Sequence, residues 1–369
     1  MKKSSVKTKP ALGSDIEDSG GCVAHPPGKP VLKVSDLNVA FTLPRGRAEI
    51  LEGVNFNLFP KEILALVGET GSGKSVTAKS ILNLIPDRNR ETKGRVLFEQ
   101  KDLLTLSDKK FQTIRGEKIS MVFQNPKSSI NPIFTLGEQI FRLIRLYLPR
   151  EVEEIKQTKG YSQKKAMELI AREKLNEVGL TDIDRMLKLY ASEISGGMAQ
   201  RYRIALSLLS SPQILIADEA TSALDVTVQA HILKLMKDLC ETKKTAILFI
   251  THDLGIAAQI CDRVAVMYAG RIVEIGPTKK IFKTPLHPYT KGLLKAVPKL
   301  GKNEPLSFVP GIIPDLVNAP KGCRFHNRCD HAMDICQEQK PVAISLEDNH
   351  DVSCFLYKSA NLKYSRKQT

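Results

Sequence analysis

The fold of this chain is decided by one stretch of its sequence, Ile63-Leu64-Ala65-Leu66-Val67-Gly68-Glu69-Thr70-Gly71-Ser72-Gly73-Lys74-Ser75. The first five residues are an unbroken apolar run, which predicts a strand buried on both faces. The glycines that follow let successive backbone N–H groups point at phosphate oxygens. Lys74 is expected to reach the β- and γ-phosphates of a nucleotide, and the Ser75 hydroxyl to bind Mg²⁺. Residues 76–85 predict a helix whose N-terminus adds partial positive charge there.

A second buried strand, Ile214 to Ala217, ends in two carboxylates. Asp218 is expected to hold Mg²⁺ through water. Glu219 could polarise the attacking water as a general base. His252 follows a third apolar strand, 245–250, and could contact the γ-phosphate. Acidic residues and histidines are also common at ordinary strand ends, so these assignments depend on the phosphate loop in the same chain.

Ser195-Gly196-Gly197-Met198 is a second candidate phosphate-binding segment. A serine hydroxyl and glycine N–H groups at the start of a helix suit an anion. Taken together, the motifs resemble the nucleotide-binding subunit of an ABC transporter. The glycine-rich loop corresponds to that family's Walker A motif and residues 215–219 to its Walker B motif, while Ser195-Gly196-Gly197-Met198 matches the signature motif. Ile194 stands where Leu is usual, and Met198 where Gln is usual.

Three further segments complete the resemblance, which covers about residues 30–300. Gln124 in Met121-Val122-Phe123-Gln124-Asn125-Pro126 matches the Q-loop, Ser222-Ala223-Leu224-Asp225 the D-loop, and His252 the switch histidine. The resemblance implies ATP and Mg²⁺ as cofactors. It implies nucleotide contacts from Gly68, Glu69, Thr70, Gly71, Ser72, Gly73, Lys74, Ser75, Gln124, Asp218, Ser195, Gly196, Gly197 and Phe41, the last stacking on adenine. It implies Mg²⁺ ligation by Ser75, Gln124 and Asp218, and catalysis by Glu219, His252 and Gln124.

The resemblance also implies a dimer. A phosphate loop holds ATP on one face only, so the γ-phosphate needs a second group on its other side. In the family arrangement, the Ser195 hydroxyl and the Gly197 N–H of a partner subunit close that side. ATP then stabilises the interface, and hydrolysis weakens it.

The expected fold is α/β: a P-loop NTPase core of the ABC type with three additions. Alternation of apolar and polar residues over 31–59 predicts an antiparallel β subdomain, and residues 125–211 are expected to form a helical subdomain, with helices over Thr135–Leu148 and Ser162–Val178. A small cysteine-containing module ends the chain. The expected divisions are a disordered tail over 1–29, a nucleotide-binding domain over 30–284, and a C-terminal module over 285–369.

The composition fits a peripheral subunit. The chain has 369 residues and a formal net charge of +15. It contains no run of 18 apolar residues, so no membrane-spanning helix is expected, and its N-terminus lacks the apolar core of a secretory signal. The charge fits an anionic membrane surface better than nucleic acid, because no basic patch interleaved with aromatic residues is present.

The C-terminal quarter narrows the class. Leu286–Leu294, Pro310–Leu316 and Gly322-Cys323-Arg324-Phe325 resemble the C-terminal module of ATPases from peptide and nickel importers. The module holds four of the seven cysteines, namely Cys323, Cys329, Cys336 and Cys354. Some ATPases of that family carry a four-iron four-sulfur (4Fe-4S) iron–sulfur cluster on such cysteines. Zn²⁺ is the alternative, and four reduced thiols remain the plain interpretation.

The sequence therefore predicts the ATP-hydrolysing subunit of an ABC importer for dipeptides or oligopeptides. The expected partners are two transmembrane permease subunits, a second homologous ATPase and an external substrate-binding protein, with no nucleic acid. The expected location is the cytoplasmic face of the cell membrane. One alternative is an importer of nickel or a metal chelate. Another is a soluble ABC ATPase of translation or DNA repair, which would usually have two cassettes or long coiled coils. A regulator that senses metal or redox state through its cysteines is the third.

Overall fold

The computed structural model describes residues 28–86, 89–124, 127–222, 224–297, 309–346 and 349–357. Residues 1–27, most of the predicted tail, lie outside the described residues, as does Ala223. The strands are β1 (Leu32–Leu43), β2 (Gly46–Leu58), β3 (Ile63–Val67), β4 (Arg90–Phe98), β5 (Lys101–Asp102), β6 (Ile119–Val122), β7 (Ile214–Asp218), β8 (Ala246–Thr251), β9 (Arg263–Tyr268), β10 (Arg271–Pro277), β11 (Ile344–Leu346) and β12 (His350–Val352).

The α-helices lie mostly between the strands of the core and in a long insertion. They are α1 (Lys74–Ile81), α2 (Asp108–Gln112), α3 (Leu136–Tyr147), α4 (Pro149–Lys159), α5 (Gln163–Glu177), α6 (Ile183–Met186), α7 (Gly196–Leu208), α8 (Val226–Lys243), α9 (Leu254–Ile260), α10 (Thr278–Lys283), α11 (Pro288–Lys295) and α12 (Asp334–Glu338). Within the described ranges, no helix is both long and apolar enough to cross a bilayer.

The core sheet has the order β11-β12-β10-β9-β3-β8-β7-β6. The strands from β9 to β6 pair in parallel, with Val67 opposite Thr251 and Asp218 opposite Ile250. Parallel strands need crossover connections, and the helices of the core supply them. The carboxyl ends of β3, β7 and β8 therefore meet at one edge of the sheet, where the predicted functional residues follow.

The apolar runs that predicted buried strands pack on both faces. Ile63, Ala65 and Val67 of β3 belong to the cluster shared with the helices, and Leu64 and Leu66 to the cluster shared with the antiparallel sheet. This alternation follows from the two-residue period of side chains along a strand. Each strand must be apolar at every position because it separates two cores.

The antiparallel sheet predicted from residues 31–59 is present, with the order β2-β1-β4-β5. β1 and β2 form a hairpin in which Leu32 pairs with Leu58 and Leu43 with Gly46. The inner face of the antiparallel sheet packs on the core cluster that contains Leu64 and Leu66 of β3, and this packing joins the two sheets.

The insertion between β6 and β7 is helical, as the sequence predicts. The helices predicted over Thr135–Leu148 and Ser162–Val178 are α3 and α5, each capped by the predicted first residue. Thr135 forms a capping box with Glu138, and Ser162 accepts a hydrogen bond from the Lys165 N–H. Both devices satisfy N–H groups of a first helical turn. Helix α4 lies between them and was not predicted.

The C-terminal module contributes strands to the core sheet and is not a separate unit on a linker. β12 pairs with β10, with Ile275 opposite Asp351, and β11 pairs with β12. The two strands extend the core sheet at the edge opposite β6. The strands that follow the boundary predicted at 284–285 thus belong to the same sheet as the strands before it.

Candidate functional site

The loop between β3 and α1 has the backbone conformation that its glycines allow. Gly68 and Gly73 have φ angles of 155° and 105°. A Cβ at Gly68 would lie 2.1 Å from the Met267 carbonyl oxygen, so no larger residue fits without moving β9. The loop is also held from outside, since the Gly270 N–H donates to the Ser72 carbonyl at 2.8 Å.

Lys74 begins α1 and folds back over the loop. Its Nζ donates to the carbonyl oxygens of Gly68 at 2.8 Å and Glu69 at 2.9 Å. The residue is 6% exposed. Burial lowers the pKa of Lys74, while the carboxylates of Glu219, Asp218 and Glu69 oppose that shift. A buried ammonium with only neutral acceptors and acidic neighbours is suited to a polyanionic ligand.

The Ser75 hydroxyl donates to Asp218 Oδ1 at 3.0 Å. These residues lie 143 positions apart in sequence, and the pairing joins the loop to the end of β7. Burial raises the pKa of Asp218, and the hydrogen bond from Ser75 opposes that shift. A hydroxyl and a carboxylate side by side are oxygen ligands of the kind that Mg²⁺ prefers. The structure thus brings two of the three predicted Mg²⁺ ligands into contact.

Glu219 contacts the other two predicted catalytic residues, Gln124 and His252. Gln124 Nε2 donates to Glu219 Oε2 at 2.7 Å, and His252 Nδ1 lies 3.2 Å from Glu219 Oε1. The φ angle of Glu219 is 49°, in the left-handed region that a side chain rarely adopts. Its N–H donates to the Ile250 carbonyl at 3.0 Å, which holds this turn against β8. Such strain is often kept where a side chain must point at a reaction.

The sequence-predicted segment Ser195-Gly196-Gly197 lies at the start of α7. Ser195 is exposed and caps the helix by accepting a hydrogen bond from the Met198 N–H at 3.2 Å. In the part of the chain that the structure describes, no hydrogen bond joins this segment to the phosphate loop. Ser222 of the predicted D-loop donates to the Glu219 carbonyl at 3.1 Å.

Two polar residues that sequence reasoning missed tie α7 to the site. Gln200 Nε2 donates to the Ala220 carbonyl, next to Glu219. An Arg203 N–H donates to the Phe123 carbonyl at 3.0 Å, next to Gln124. Burial lowers the pKa of Arg203 to about 10. The sequence signal that could have revealed these contacts is the placement of two long polar side chains on the buried face of a helix. Buried polar side chains need hydrogen-bond partners.

Phe41 lies in β1, where it pairs with Ala48 of β2 and Arg90 of β4. Its side chain is half-buried and packs against the core cluster under the antiparallel sheet. Its proposed stacking on adenine remains a prediction.

The four cysteines of the C-terminal module line one narrow cavity, together with His287, His326 and His331. Burial raises the pKa of Cys323 to about 11, and the neighbouring cysteines add to the shift. Burial also raises the pKa values of Cys329 and Cys354. Among the described residues, no group of three or more His, Cys, Asp or Glu side chains is arranged to hold a single metal ion. The cysteines are therefore gathered, but not closed around one point.

Comparison with known proteins decides the family. An ABC transporter family model matches residues 51–222, and a model of the oligopeptide/dipeptide transporter C-terminal region matches residues 273–336. The dipeptide transport ATP-binding protein DppD of Bacillus subtilis is 44% identical over 328 residues, covering 88% of this chain and 94% of its own. The chain belongs to the ATP-binding subunits of ABC transporters. It is an ATPase of that family.

Other relatives agree with this membership. The oligopeptide transport ATP-binding protein OppD of Bacillus subtilis is 46% identical, with 88% of both chains covered. The OppD of Salmonella typhimurium is 43% identical, with 86% of this chain and 92% of its own covered. Among solved structures, the ATP-binding cassette MJ0796, bound to ADP and phosphate as a dimer, matches with a TM-score of 0.57 and 26% identity, over 67% of this chain and 98% of its own.

The ABC fold predicted from the sequence is thereby confirmed, as is the resemblance to the peptide-transporter branch. ATP and Mg²⁺ are the cofactors of this ATPase family. The comparisons give no support for an iron–sulfur cluster.

Proposed function

We propose that this ABC ATPase powers a membrane importer for dipeptides or oligopeptides. The observation that carries the proposal is the match of residues 273–336 to the oligopeptide/dipeptide transporter C-terminal region. The relatives named for dipeptide and oligopeptide transport also support the proposal. In this chain the matched region begins within β10 of the core sheet, and β12, which follows the matched region, pairs with that strand. It is therefore built into the nucleotide-binding unit and is not an appended tag. We take 30–284 as the nucleotide-binding domain and 285–369 as the C-terminal module.

The nucleotide site is proposed to work through the contacts at the carboxyl edge of the core sheet. The loop amides of residues 68–75 and the Lys74 ammonium hold the phosphates, while Ser75, Asp218 and Gln124 hold Mg²⁺. Glu219 accepts a proton from the attacking water. Gln124 and His252 lie within hydrogen-bond reach of the Glu219 carboxylate and orient that carboxylate. Phe41 is proposed to stack on adenine.

The second half of the site comes from another subunit. Ser195 caps α7, and Gly196 and Gly197 are the first residues of that helix. Such a helix start is a ready site for the γ-phosphate of the partner's ATP. Gln200 and Arg203 link that helix to the backbone beside Glu219 and Gln124. A change at the γ-phosphate can thus reach the helical subdomain along one helix.

The assembly is proposed to contain two permeases, a second homologous ATPase and an external binding protein, with this chain at the cytoplasmic face of the cell membrane. Affinity purification of the tagged chain from gently solubilised membranes, followed by native mass spectrometry, tests this. We expect one copy of this chain, one related ATPase and two permeases, with ATPase turnover stimulated by peptides in the presence of the binding protein.

Each other outcome of that experiment has a meaning. Two copies of this chain with no second ATPase would exclude the heteromeric pair. Stimulation by a nickel chelate and not by peptides would favour metal import. Recovery of the chain without any permease would favour a soluble ABC ATPase.

Glu219→Gln is expected to keep ATP binding and to lose turnover by about a hundred-fold or more, because the amide cannot accept the proton. The variant should accumulate as an ATP-bound pair of ATPase subunits, seen by size-exclusion chromatography with light scattering. Glu241→Gln, an exposed acid on α8, is the matched control and should behave as the parent. Turnover near the parent rate in Glu219→Gln would show that another group is the base.

Lys74→Ala and Ser195→Arg should fail in different ways. Lys74→Ala should weaken MgATP binding by at least about ten-fold, since the phosphate charge loses its buried partner. Ser195→Arg should leave binding to the isolated chain intact and block ATP-dependent pairing by filling the space for the partner's γ-phosphate. Calorimetry and light scattering separate the two, with Ser107→Arg at the start of α2 as the control. Equal loss of ATP binding in both variants would contradict a shared site.

We further propose that Cys323, Cys329, Cys336 and Cys354 hold an iron–sulfur cluster of the 4Fe-4S type, with Zn²⁺ as the alternative. Their common cavity supports a shared ligand. A cluster of this type is held by four thiolates, and the module supplies four cysteines. When bound, the cluster would link four segments of the module and offset the thiolate charge. The cysteines themselves supply the thiolates, which burial disfavours in the absence of a cation.

Anaerobically purified protein is therefore expected to be brown, with broad absorption at roughly 400 nm. Cys323→Ser with Cys329→Ser should remove the colour and expose residues 309–357 to proteolysis, while Cys22→Ser should do neither. Metal analysis decides the identity. One zinc per chain would replace the cluster, and absence of metal under anaerobic purification would leave four reduced thiols.

A further inference from the structure

Glu69, the second residue of the phosphate loop, connects three groups. Its carbonyl accepts from Lys74 Nζ at 2.9 Å. Its N–H donates to the Tyr289 hydroxyl at 3.0 Å. Its carboxylate meets Arg328, with one guanidinium nitrogen 2.8 Å from Oε2 and the other 3.0 Å from Oε1. Tyr289 and Arg328 both belong to the C-terminal module. The module therefore holds the loop at a residue that contacts Lys74, the lysine proposed to bind the phosphates.

Arg328 is itself fixed by its own module. Its Nε donates to the Pro310 carbonyl at 2.7 Å, and one terminal nitrogen donates to the Val309 carbonyl at 2.9 Å. The side chain is 5% exposed, against 28% for Glu69. Its guanidinium lies 5.6 Å from the centre of the Tyr268 ring. Of the three remaining N–H groups, one donates to the Tyr268 hydroxyl at 3.4 Å, and the planar guanidinium presents the other two to Glu69 in one orientation.

The charge balance of the site gives this contact a consequence. Lys74 is a buried cation surrounded by the carboxylates of Glu219, Asp218 and Glu69. The phosphates of ATP bring further negative charge to the same place. A Glu69 carboxylate without Arg328 would repel the phosphates and compete with them for Lys74. With Arg328 bound, the charge of that carboxylate is balanced and both of its oxygens are occupied by the guanidinium.

We propose that Arg328 is a positioning residue of the nucleotide site, and that the C-terminal module sets the affinity for MgATP through the Arg328–Glu69–Lys74 connection. The inference rests on the proposed role of the phosphate loop. Arg328 is not proposed to contact the nucleotide or the attacking water. It acts through Glu69 by fixing the loop backbone and cancelling one negative charge beside the phosphates.

The test is steady-state ATPase turnover of the membrane-extracted complex carrying Arg328→Gln. The KM for MgATP should rise about ten-fold, a coupling of ordinary size for linked sites, while kcat at saturating ATP stays near the parent value. Lys340→Gln is the matched control. It removes a cation of the same module that pairs with Glu52 on β2, and its KM should not change.

The double variant Glu69→Gln with Arg328→Gln separates positioning from general damage. Removing both charges should restore most of the affinity, because the unpaired carboxylate and not the absence of the arginine is the main penalty. A double variant as weak as Arg328→Gln, or an unchanged KM in Arg328→Gln, would overturn the proposal. If Arg328→Gln does not fold, Arg328→Lys replaces it. That variant keeps the charge, loses the two-pronged contact, and should raise the KM about three-fold; an unchanged KM there would also overturn the proposal.

Calorimetric titration of MgATP into Lys74→Ala and Arg328→Gln keeps the two proposals apart. If Lys74→Ala binds MgATP as the parent does, the proposed nucleotide site is wrong. If Lys74→Ala loses binding and Arg328→Gln does not, the nucleotide site stands and only the role of Arg328 fails.

Discussion

The structure depends on one constraint: parallel strands end at the same edge of a sheet. β3, β8 and β7 are neighbours, and the residues that follow them carry the phosphate loop, His252 and the Asp218–Glu219 pair. The Ser75–Asp218 hydrogen bond and the Glu219–His252 contact are consequences of that adjacency. The apolar character of all three strands is needed for the same reason, because each strand is covered on both faces.

Charge at this edge is arranged for a ligand that is itself negative. Lys74 is buried beside three carboxylates, and its ammonium is held by loop carbonyls that a phosphate can replace. Asp218 and Ser75 already lie together, as a Mg²⁺ site would require. Of the three acids, only Glu69 has a fixed cation, Arg328, as a two-pronged partner in the described residues. The acids proposed to work on Mg²⁺ and water instead contact Ser75, Gln124 and His252, which belong to the same proposed site.

The sequence predicted the elements whose pattern is local. The strand over 63–67 and the helices capped by Thr135 and Ser162 each follow from periodicity or capping within a few residues. The helix predicted over 76–85 is present, but it begins at Lys74 and ends at Ile81, because Asn83 has a φ angle of 47° that a helix cannot continue through. The meeting of Ser75 with Asp218 was predictable only through the family resemblance, because nothing local encodes a partner 143 residues away.

Contacts between distant, individually unremarkable residues were not predictable. Arg328 lies 259 positions from Glu69. It stands in a segment whose sequence is interpreted mainly through its cysteines. β12 is a three-residue strand whose pairing with β10 depends on tertiary contact. The cysteine spacing suggested a shared ligand, whereas the distances between side chains, which decide between one ion and a cluster, need coordinates.

The central proposal is that ATP is held between Lys74 of this chain and the signature segment of another subunit. The most direct measurement is a cryo-EM map of the membrane-extracted Glu219→Gln complex with MgATP. We expect the Lys74 ammonium to contact the phosphates, released from the Gly68 and Glu69 carbonyls, and the γ-phosphate to lie also within hydrogen-bond reach of the partner's signature serine. A nucleotide that contacts a single chain, with Lys74 still bonded to its own loop, would contradict the proposal.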